Sequence, residues 1–395
     1  MKSLLVHDLS RRRTRTSESP HSPSVPRREK FDEPSTNLLG TSSREERVTT
    51  SFEEKIGPDF SGHVLVAMDK FRGTASARQL SEAVARVVAA NNCSVDVQPM
   101  SDGGEGFRDA FSGKVVVVEV PGPLGVPVAS PITLSESPSG LLAILEVAEV
   151  VGRNHLVSPT RAQALAATSA GAGHLILSAA RLGATGILLG CGGSATSDGG
   201  LGCYQVLRDA GGLPVPVTVA TDVTARFSGL RRYAEQKGVS TKDLGIIDRR
   251  LDDVRALYLK EQGVDVELLE RSGASGGIPG ALAALGGVLT SGFNAVAGSV
   301  DLLERLRRSS LVITGEGRFD QGSLEGKVIG GIAPMTDDLA ALLVVCGSVD
   351  LNAARTFRSQ FSNVRIISLV ERFGRRRAMS EVLACVEKVV AEALN

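Results

Sequence analysis

Apolar residues in this chain come in short runs, and most runs end in glycine and polar residues before a second apolar pattern of helical spacing begins. The run at 63–68 predicts a strand, and Ser76 then predicts the cap of a helix with apolar positions at Leu80, Val84, Val87 and Val88. Residues 95–97, 115–120, 141–147, 186–190, 215–220, 311–313 and 342–346 read as further strands, the last of these as the final strand of the chain. Helices are expected from Phe107, over 168–181 with Gly171, Gly173 and Ala179 on one face, from Leu201, across a long region 241–269, over 301–306 and from Lys327. Residues 121–125, rich in proline and glycine, read as a structural turn. Strand, glycine loop and helix in alternation predict an α/β protein with largely parallel sheets, whose ligands gather beyond the carboxyl ends of the strands.

Residues 1–60 break this pattern with an arginine run, Ser-Pro pairs and little apolar periodicity, and predict a disordered extension. The 395 residues suffice for two domains, and 42% hydrophobic content supports buried cores. Basic and acidic residues number 44 each, so charge gives no argument for nucleic acid or for an anionic membrane surface. No apolar run approaches the roughly 20 residues a membrane span needs. The five cysteines form no CxxC pair, which argues against a disulfide framework or a zinc site and fits a reducing cytoplasm. A small molecule is the expected partner.

The loops carry the candidate chemistry. Asp69, Lys70 and Arg72 follow the first strand, and Asp102 and Glu105 stand among Gly103, Gly104 and Gly106. Gly192, Gly193, Ser194, Thr196, Ser197 and Asp198 separate a strand from a helix, a setting in which backbone N–H groups face an anion. Asp198 is equally suited to cap the helix that follows it. Asp222 ends another strand, 273–280 is a third glycine-rich loop, and Gly315, Glu316, Arg318 and Lys327 follow the strand at 311–313. Glu316 and Arg318 could also simply pair with each other. Glycines with Lys or Arg recognise phosphate and carboxylates hold Mg²⁺, which together are the parts phosphoryl transfer needs. The P-loop pattern is absent, as is a dinucleotide fingerprint after the first strand, and no histidine lies in these loops.

Taken in order, Asp69 to Arg72, Asp102 to Gly106, residues 192–200, Gln236 to Gly238, residues 273–277 and Thr314 through Lys327 resemble the bacterial glycerate kinases over about residues 62–395. The resemblance implies ATP-dependent phosphorylation of D-glycerate to 2-phosphoglycerate. It implies a Rossmann-like or flavodoxin-like α/β domain built from both chain ends, residues 61–110 and 270–395, with a second α/β domain inserted at 111–269 and the active site between them. Lys70, Arg72, Lys237, Lys327 and the backbone of Gly192, Gly193 and Ser194 would then hold the substrate carboxylate and the ATP phosphates, with Thr196, Gly315, Glu316 and Arg318 beside them. Asp102, Asp222 or Asp198 would hold Mg²⁺, and Asp198 or Asp69 would orient or deprotonate the attacking hydroxyl. The resemblance leaves the assembly open, a homodimer included. Three departures stand out: Arg72 replaces the usual lysine, residues 210–219 are trimmed relative to the family, and Val223 opens a stretch unlike the family's after Asp222. They leave room for a kinase of another small hydroxy acid, or for a non-catalytic binder of a phosphorylated metabolite.

Overall fold

In the computed structural model, which describes Phe52, Ile56 and residues 60–336 and 339–395, the apolar runs become two sheets. The strands are β1 His63–Met68, β2 Ser94–Val97, β3 Lys114–Pro121, β4 Pro127–Ser137, β5 Gly140–Glu146, β6 Gly186–Cys191 and β7 Val217–Thr221. They continue as β8 Val288–Ser291, β9 Leu311–Gly315, β10 Arg318–Phe319, β11 Ala341–Cys346, β12 Ser348–Val349 and β13 Val364–Ser368. The first sheet, β13-β11-β9-β1-β2, is parallel throughout and draws on both ends of the described chain. The second, β3-β4-β5-β6-β7-β8, starts with an antiparallel meander and becomes parallel from β5 onward. The architecture is thus α/β, a Rossmann-like or flavodoxin-like layer from both ends with a second α/β layer between them. The short pair β10 and β12 adds a parallel ribbon beyond the first sheet.

Strand pleating sorts the core. Along β1, Leu65 and Ala67 face a cluster that includes Phe107 and is shared with the second sheet through Ile144, Leu188 and Ala220. Val64, Val66 and Met68 face the helices Ala77–Ala90 and Val382–Leu394 on the other side. A third cluster covers the far face of the second sheet under the helix Ala170–Arg181, where Gly171 lets the helix meet the backbone of Pro121. Each large apolar side chain withdrawn from water in these clusters contributes about 1.5–3 kcal/mol.

Several expectations are corrected. Phe52 and Ile56 are buried against the first sheet's outer face, Ile56 N–H bonding to the Phe52 carbonyl at 3.0 Å, so the packed chain begins before residue 60. An aromatic and a β-branched residue four apart supply one apolar helical face, which the surrounding polar composition hides. The rest of the expected extension lies outside the described residues. The boundary expected near 270 also moves, because β8 pairs with β7 and carries the second layer to Ser291. β4 went unrecognised because Pro127 and Pro131 break its pattern. The last strand is β13, not β11. The long region at 241–269 resolves into the helix Leu244–Gln262 flanked by two short 3₁₀ turns. Among the described residues, no helix is long and apolar enough to cross a membrane, and all five cysteines are buried and unpaired.

Candidate active site

Parallel pairing sets three strand ends of the first sheet side by side. Met68 lies opposite Gly315, Asp69 N–H bonds to the Gly315 carbonyl at 2.9 Å, and Gly347 N–H bonds to the Glu316 carbonyl at 3.1 Å. Gly315 itself stays behind this edge: a Cβ there would stand 1.8 Å from the Val345 carbonyl oxygen, so its role is strand packing rather than ligand contact. The ends of β5, β6 and β7 arrive from the second sheet, and the loop Asp102 to Gly106 is wedged between the two sets. Gly192 permits this, since a Cβ on it would lie 2.7 Å from the Gly104 Cα.

These loops enclose a cleft of about 480 Å³ lined by Asp69, Lys70, Arg72, Asp102, Asp222, Glu316, Arg318 and Lys327 among others. At its floor Lys70 Nζ stands 2.7 Å from Asp102 Oδ1 and 3.7 Å from Asp69 Oδ1, and Lys70 N–H donates to Asp69 Oδ1 at 2.7 Å. Asp69 is 4% exposed. Burial pushes its carboxyl up to about 7 against the pull of Lys70, and the charge of Asp102 adds to the rise. Burial works against the Lys70 charge as well, but Asp69, Asp102 and Asp222 outweigh it and hold the ammonium above the usual lysine value. Burial would also raise Asp102; the Lys70 ion pair and the Gly104 N–H, 3.1 Å away, instead bring it below the ordinary carboxylate value. Asp222 opens onto the cleft but is crowded by protein on its other sides, and this, with Asp102 nearby, raises its pKa. Glu316 is pushed up to about 7 by burial, opposed by Ser323 and Lys327, and its Oε1 has no partner. The alternative in which Glu316 and Arg318 simply pair is not the one found among the described residues; Arg318 instead reaches Asp320 at 3.4 Å. Lys327 makes no ion pair among the described residues, yet its charge acts on Asp69, Asp102, Asp222 and Glu316 alike.

No three acidic, histidine or cysteine side chains among the described residues form a metal cage on their own. Asp102 and Asp222 nevertheless converge beside Gly104: a side chain begun there would stand 3.1 Å from Asp102 Oδ1, 3.4 Å from Asp222 Oδ2 and 3.5 Å from Lys70 Nζ. Two carboxylates of this kind fit a magnesium ion that completes its coordination with phosphate oxygens and water.

Gly193, Arg72 and Asp222 also border a smaller hollow of about 230 Å³ with Gly192, Ser194, Gln236 and Lys237. Lys237 Nζ donates to Ser194 Oγ at 3.0 Å and to the Thr196 carbonyl at 2.7 Å. Burial lowers its pKa to about 7, with Asp198 opposing the fall and Arg153 adding to it. Thr196 is fully buried, supports Lys237 from behind and lines neither cavity.

Asp198 corrects the sequence reading. Its Oδ2 accepts from Ser169 N–H at 2.8 Å, Ser169 Oγ at 2.8 Å, Thr168 Oγ1 at 3.4 Å and Gly202 N–H at 3.2 Å, while Oδ1 accepts from Gly200 N–H at 3.2 Å. The carboxylate thus ties the start of the helix Ala170–Arg181 to that of the helix Leu201–Asp209, and it lines neither cavity. Oδ2 is taken up by four scaffold donors and Oδ1 by the Gly200 N–H, so the carboxylate is held between the two helix starts and away from both cavities. The alternative noted in the sequence, a capping role, is the one found.

Two residues escaped the sequence reading. Glu146, at the end of β5, accepts from Gly106 N–H at 3.0 Å and Arg108 N–H at 2.7 Å and so fastens the far side of the Asp102 loop. Burial raises it to about 7 in spite of those bonds. Arg153 stands over the hollow, its N–H bonded to the Gly193 carbonyl at 3.0 Å. The available signal for each was position, a strand end for Glu146 and a residue just after Gly152 for Arg153.

Comparison with known proteins gives a consistent result. A model of the glycerate kinase family matches residues 64–211 and 212–394, two stretches that meet at the glycine turn after the helix Leu201–Asp209. The glycerate 2-kinase of Escherichia coli K12 is 34% identical over 311 residues, covering 68% of this chain and 81% of that protein. A glycerate kinase of Bacillus subtilis 168 is 31% identical over 310 residues, covering 68% and 80%. The crystal structure of a putative glycerate kinase 2 from Salmonella typhimurium LT2 superposes with a TM-score of 0.67 at 26% identity, covering 84% of this chain and 98% of that one.

Proposed function

This chain belongs to the glycerate kinase family, as a kinase with an alcohol acceptor, and from that premise we propose that it transfers the γ-phosphoryl group of ATP to a hydroxyl of D-glycerate, giving 2-phosphoglycerate. The observation that carries this reading is the buried Asp69–Lys70–Asp102 network at the floor of a cleft into which Lys327 and Asp222 also face. Phosphoryl transfer asks the protein chiefly to position reactants and neutralise charge.

Asp69 is the base in this mechanism. A carboxyl titrating near 7 sits where a general base works best at neutral pH. It takes the proton of the acceptor hydroxyl as the oxygen attacks the γ-phosphorus; the new O–P bond forms, the bond to the β-phosphate oxygen breaks, and ADP leaves with the electron pair. Lys70 and Lys327 balance the charge that collects on the transferred group and the leaving phosphates. Magnesium, held by Asp102 and Asp222 when bound, supplies further charge neutralisation on the nucleotide. Asp198 has no chemical step and keeps the loop 192–200 in place. The nucleotide and the acid enter from solvent through the open side of the cleft.

A coupled assay of ADP release with ATP, Mg²⁺ and D-glycerate, with NMR identification of the product, tests the reading. Glycerate-dependent ADP release with the phosphate on C2 supports it, and no turnover with any hydroxy acid in a panel refutes it. Turnover of a different acid would keep the kinase and change the substrate, an outcome that the unusual stretch from Val223 at the hollow makes worth measuring.

A further inference from the structure

We infer that the smaller hollow is a carboxylate subsite, in which Arg153, Lys237 and Ser275 grip the acid group of a small hydroxy acid and leave its hydroxyl facing the cleft across the mouth the two cavities share. The inference rests on the kinase reading above and assigns the two cavities different ligands.

The balance of charge separates the two cavities. The cleft mixes Asp69, Asp102, Asp222 and Glu316 with its cations, whereas the hollow sets Arg72, Arg153 and Lys237 against Asp222 alone. Neither Arg72 nor Arg153 makes a side-chain ion pair among the described residues, and unpaired cations around a concavity are held there against mutual repulsion, which an anion relieves. Lys237 has three N–H donors and spends two on the neutral Ser194 Oγ and Thr196 carbonyl, so one remains for a ligand. It is only 8% exposed, and burying an ammonium without a counter-ion is costly.

Ser275 adds an independent observation. It lines the hollow, its Oγ is buried without a partner, and its backbone is held at a φ of 43°, in the left-handed region that non-glycine residues avoid. Gly276 beside it could not be any larger, since a Cβ would meet the Thr196 carbonyl oxygen at 2.2 Å. The segment is therefore clamped onto the loop that holds Lys237, and it brings a buried, unpartnered hydroxyl next to the hollow. A volume of about 230 Å³ gives room for an acid of about three carbons.

The test assays Arg153→Ala and Lys237→Met with ATP and D-glycerate, and titrates both calorimetrically with D-glycerate, glycolate and lactate, using glycerol as the probe that has hydroxyls but no carboxylate. Arg153 is exposed and its side chain makes no bond among the described residues, so its removal should leave the fold intact, which the melting temperature checks. The expected result is a KM for the acid raised about 10- to 100-fold in each variant, with the KM for ATP within about two-fold of wild type and partial rescue by Arg153→Lys. An unchanged acid KM, or a raised ATP KM in its place, overturns the subsite. If the wild type phosphorylates nothing, the kinase reading falls by itself, and calorimetry still decides the subsite. Carboxylate binding that Arg153→Ala abolishes upholds it, while equal binding by both proteins, or no binding by the wild type, overturns it.

Discussion

Two glycine-rich loops of similar composition, Asp102 to Gly106 and residues 192–200, put their aspartates to opposite uses. In the first, Asp102 faces the cleft and meets Lys70 Nζ at 2.7 Å. In the second, Asp198 turns away from the cavities and accepts from Thr168, Ser169, Gly200 and Gly202. The difference is where unsatisfied donors lie. The helix Leu201–Asp209 starts three residues after Asp198 and a second helix N-terminus arrives from Ser169, and together they draw the carboxylate inward. The Asp102 loop leads only to a single 3₁₀ turn, Phe107–Ala110, and the N–H groups at that turn already bond to Glu146. Asp102 is left for Lys70. A glycine loop with an acid is therefore a site or a strut according to which backbone donors the fold brings near it.

Substitutions at the floor of the cleft should break this contrast most strongly. Asp69→Asn should lower kcat by about 10²- to 10⁴-fold with the melting temperature nearly unchanged. Lys70→Ala should lower kcat/KM by about 10²- to 10³-fold, as it removes charge from the transition state and leaves Asp69 and Asp102 facing each other. The direct comparison is Asp102→Asn against Asp198→Asn. The first should cost about 10²-fold in activity and little stability; the second should cost about 1–3 kcal/mol in chemical denaturation and leave kcat of the folded enzyme within about three-fold. A loss of kcat in Asp198→Asn comparable to that in Asp102→Asn would overthrow the distinction.

Titration sharpens the same contrast between cleft and hollow. Since Asp69 titrates near 7, kcat/KM should climb with pH and level off above about 7, and that limb should vanish in Asp69→Asn. Lys237 works in the other direction. It faces Asp198, Arg153, Arg72 and Asp222, and it loses its charge above about 7, so the KM for the acid should rise on the alkaline side. Between about pH 7 and its ordinary 10.5, Lys237 is neutral in the folded chain and charged in the unfolded one. The unfolded state then holds the extra proton, and stability rises with pH across that window; Lys237→Met should flatten the rise in denaturation midpoints. A modest effect is expected at Glu146→Gln, which keeps one acceptor for the Gly106 and Arg108 N–H groups and should lower kcat by only about three- to ten-fold through a looser Asp102 loop.

Much of the cleft was legible in the chain itself. Asp69, Lys70 and Glu316 follow apolar runs whose strand identity is unmistakable, and parallel sheets place such residues at one edge. Lys237 was legible only through its resemblance to a family motif, because the 3₁₀ turn Glu235–Lys237 that carries it has no periodic signal. Ser275 was legible only as part of the glycine-rich loop 273–280 and Arg153 only by its place just after Gly152, as nothing in the neighbouring sequence tells that they border one hollow.

By itself the sequence determined the α/β class, the strand-end loops and the supply of charged groups in them, because apolar period and glycine placement are local properties that the backbone must obey. Only the tertiary structure decided that β8 joins the second sheet, that Phe52 and Ile56 pack into the core, that Asp198 is a strut and that Glu146 anchors the Asp102 loop. Each of these depends on partners far away in the chain, Ser169 lying 29 residues before Asp198 and Gly106 lying 40 before Glu146. Where a side chain points follows from the donors and apolar surfaces that folding delivers to it, and a local stretch of sequence does not contain them.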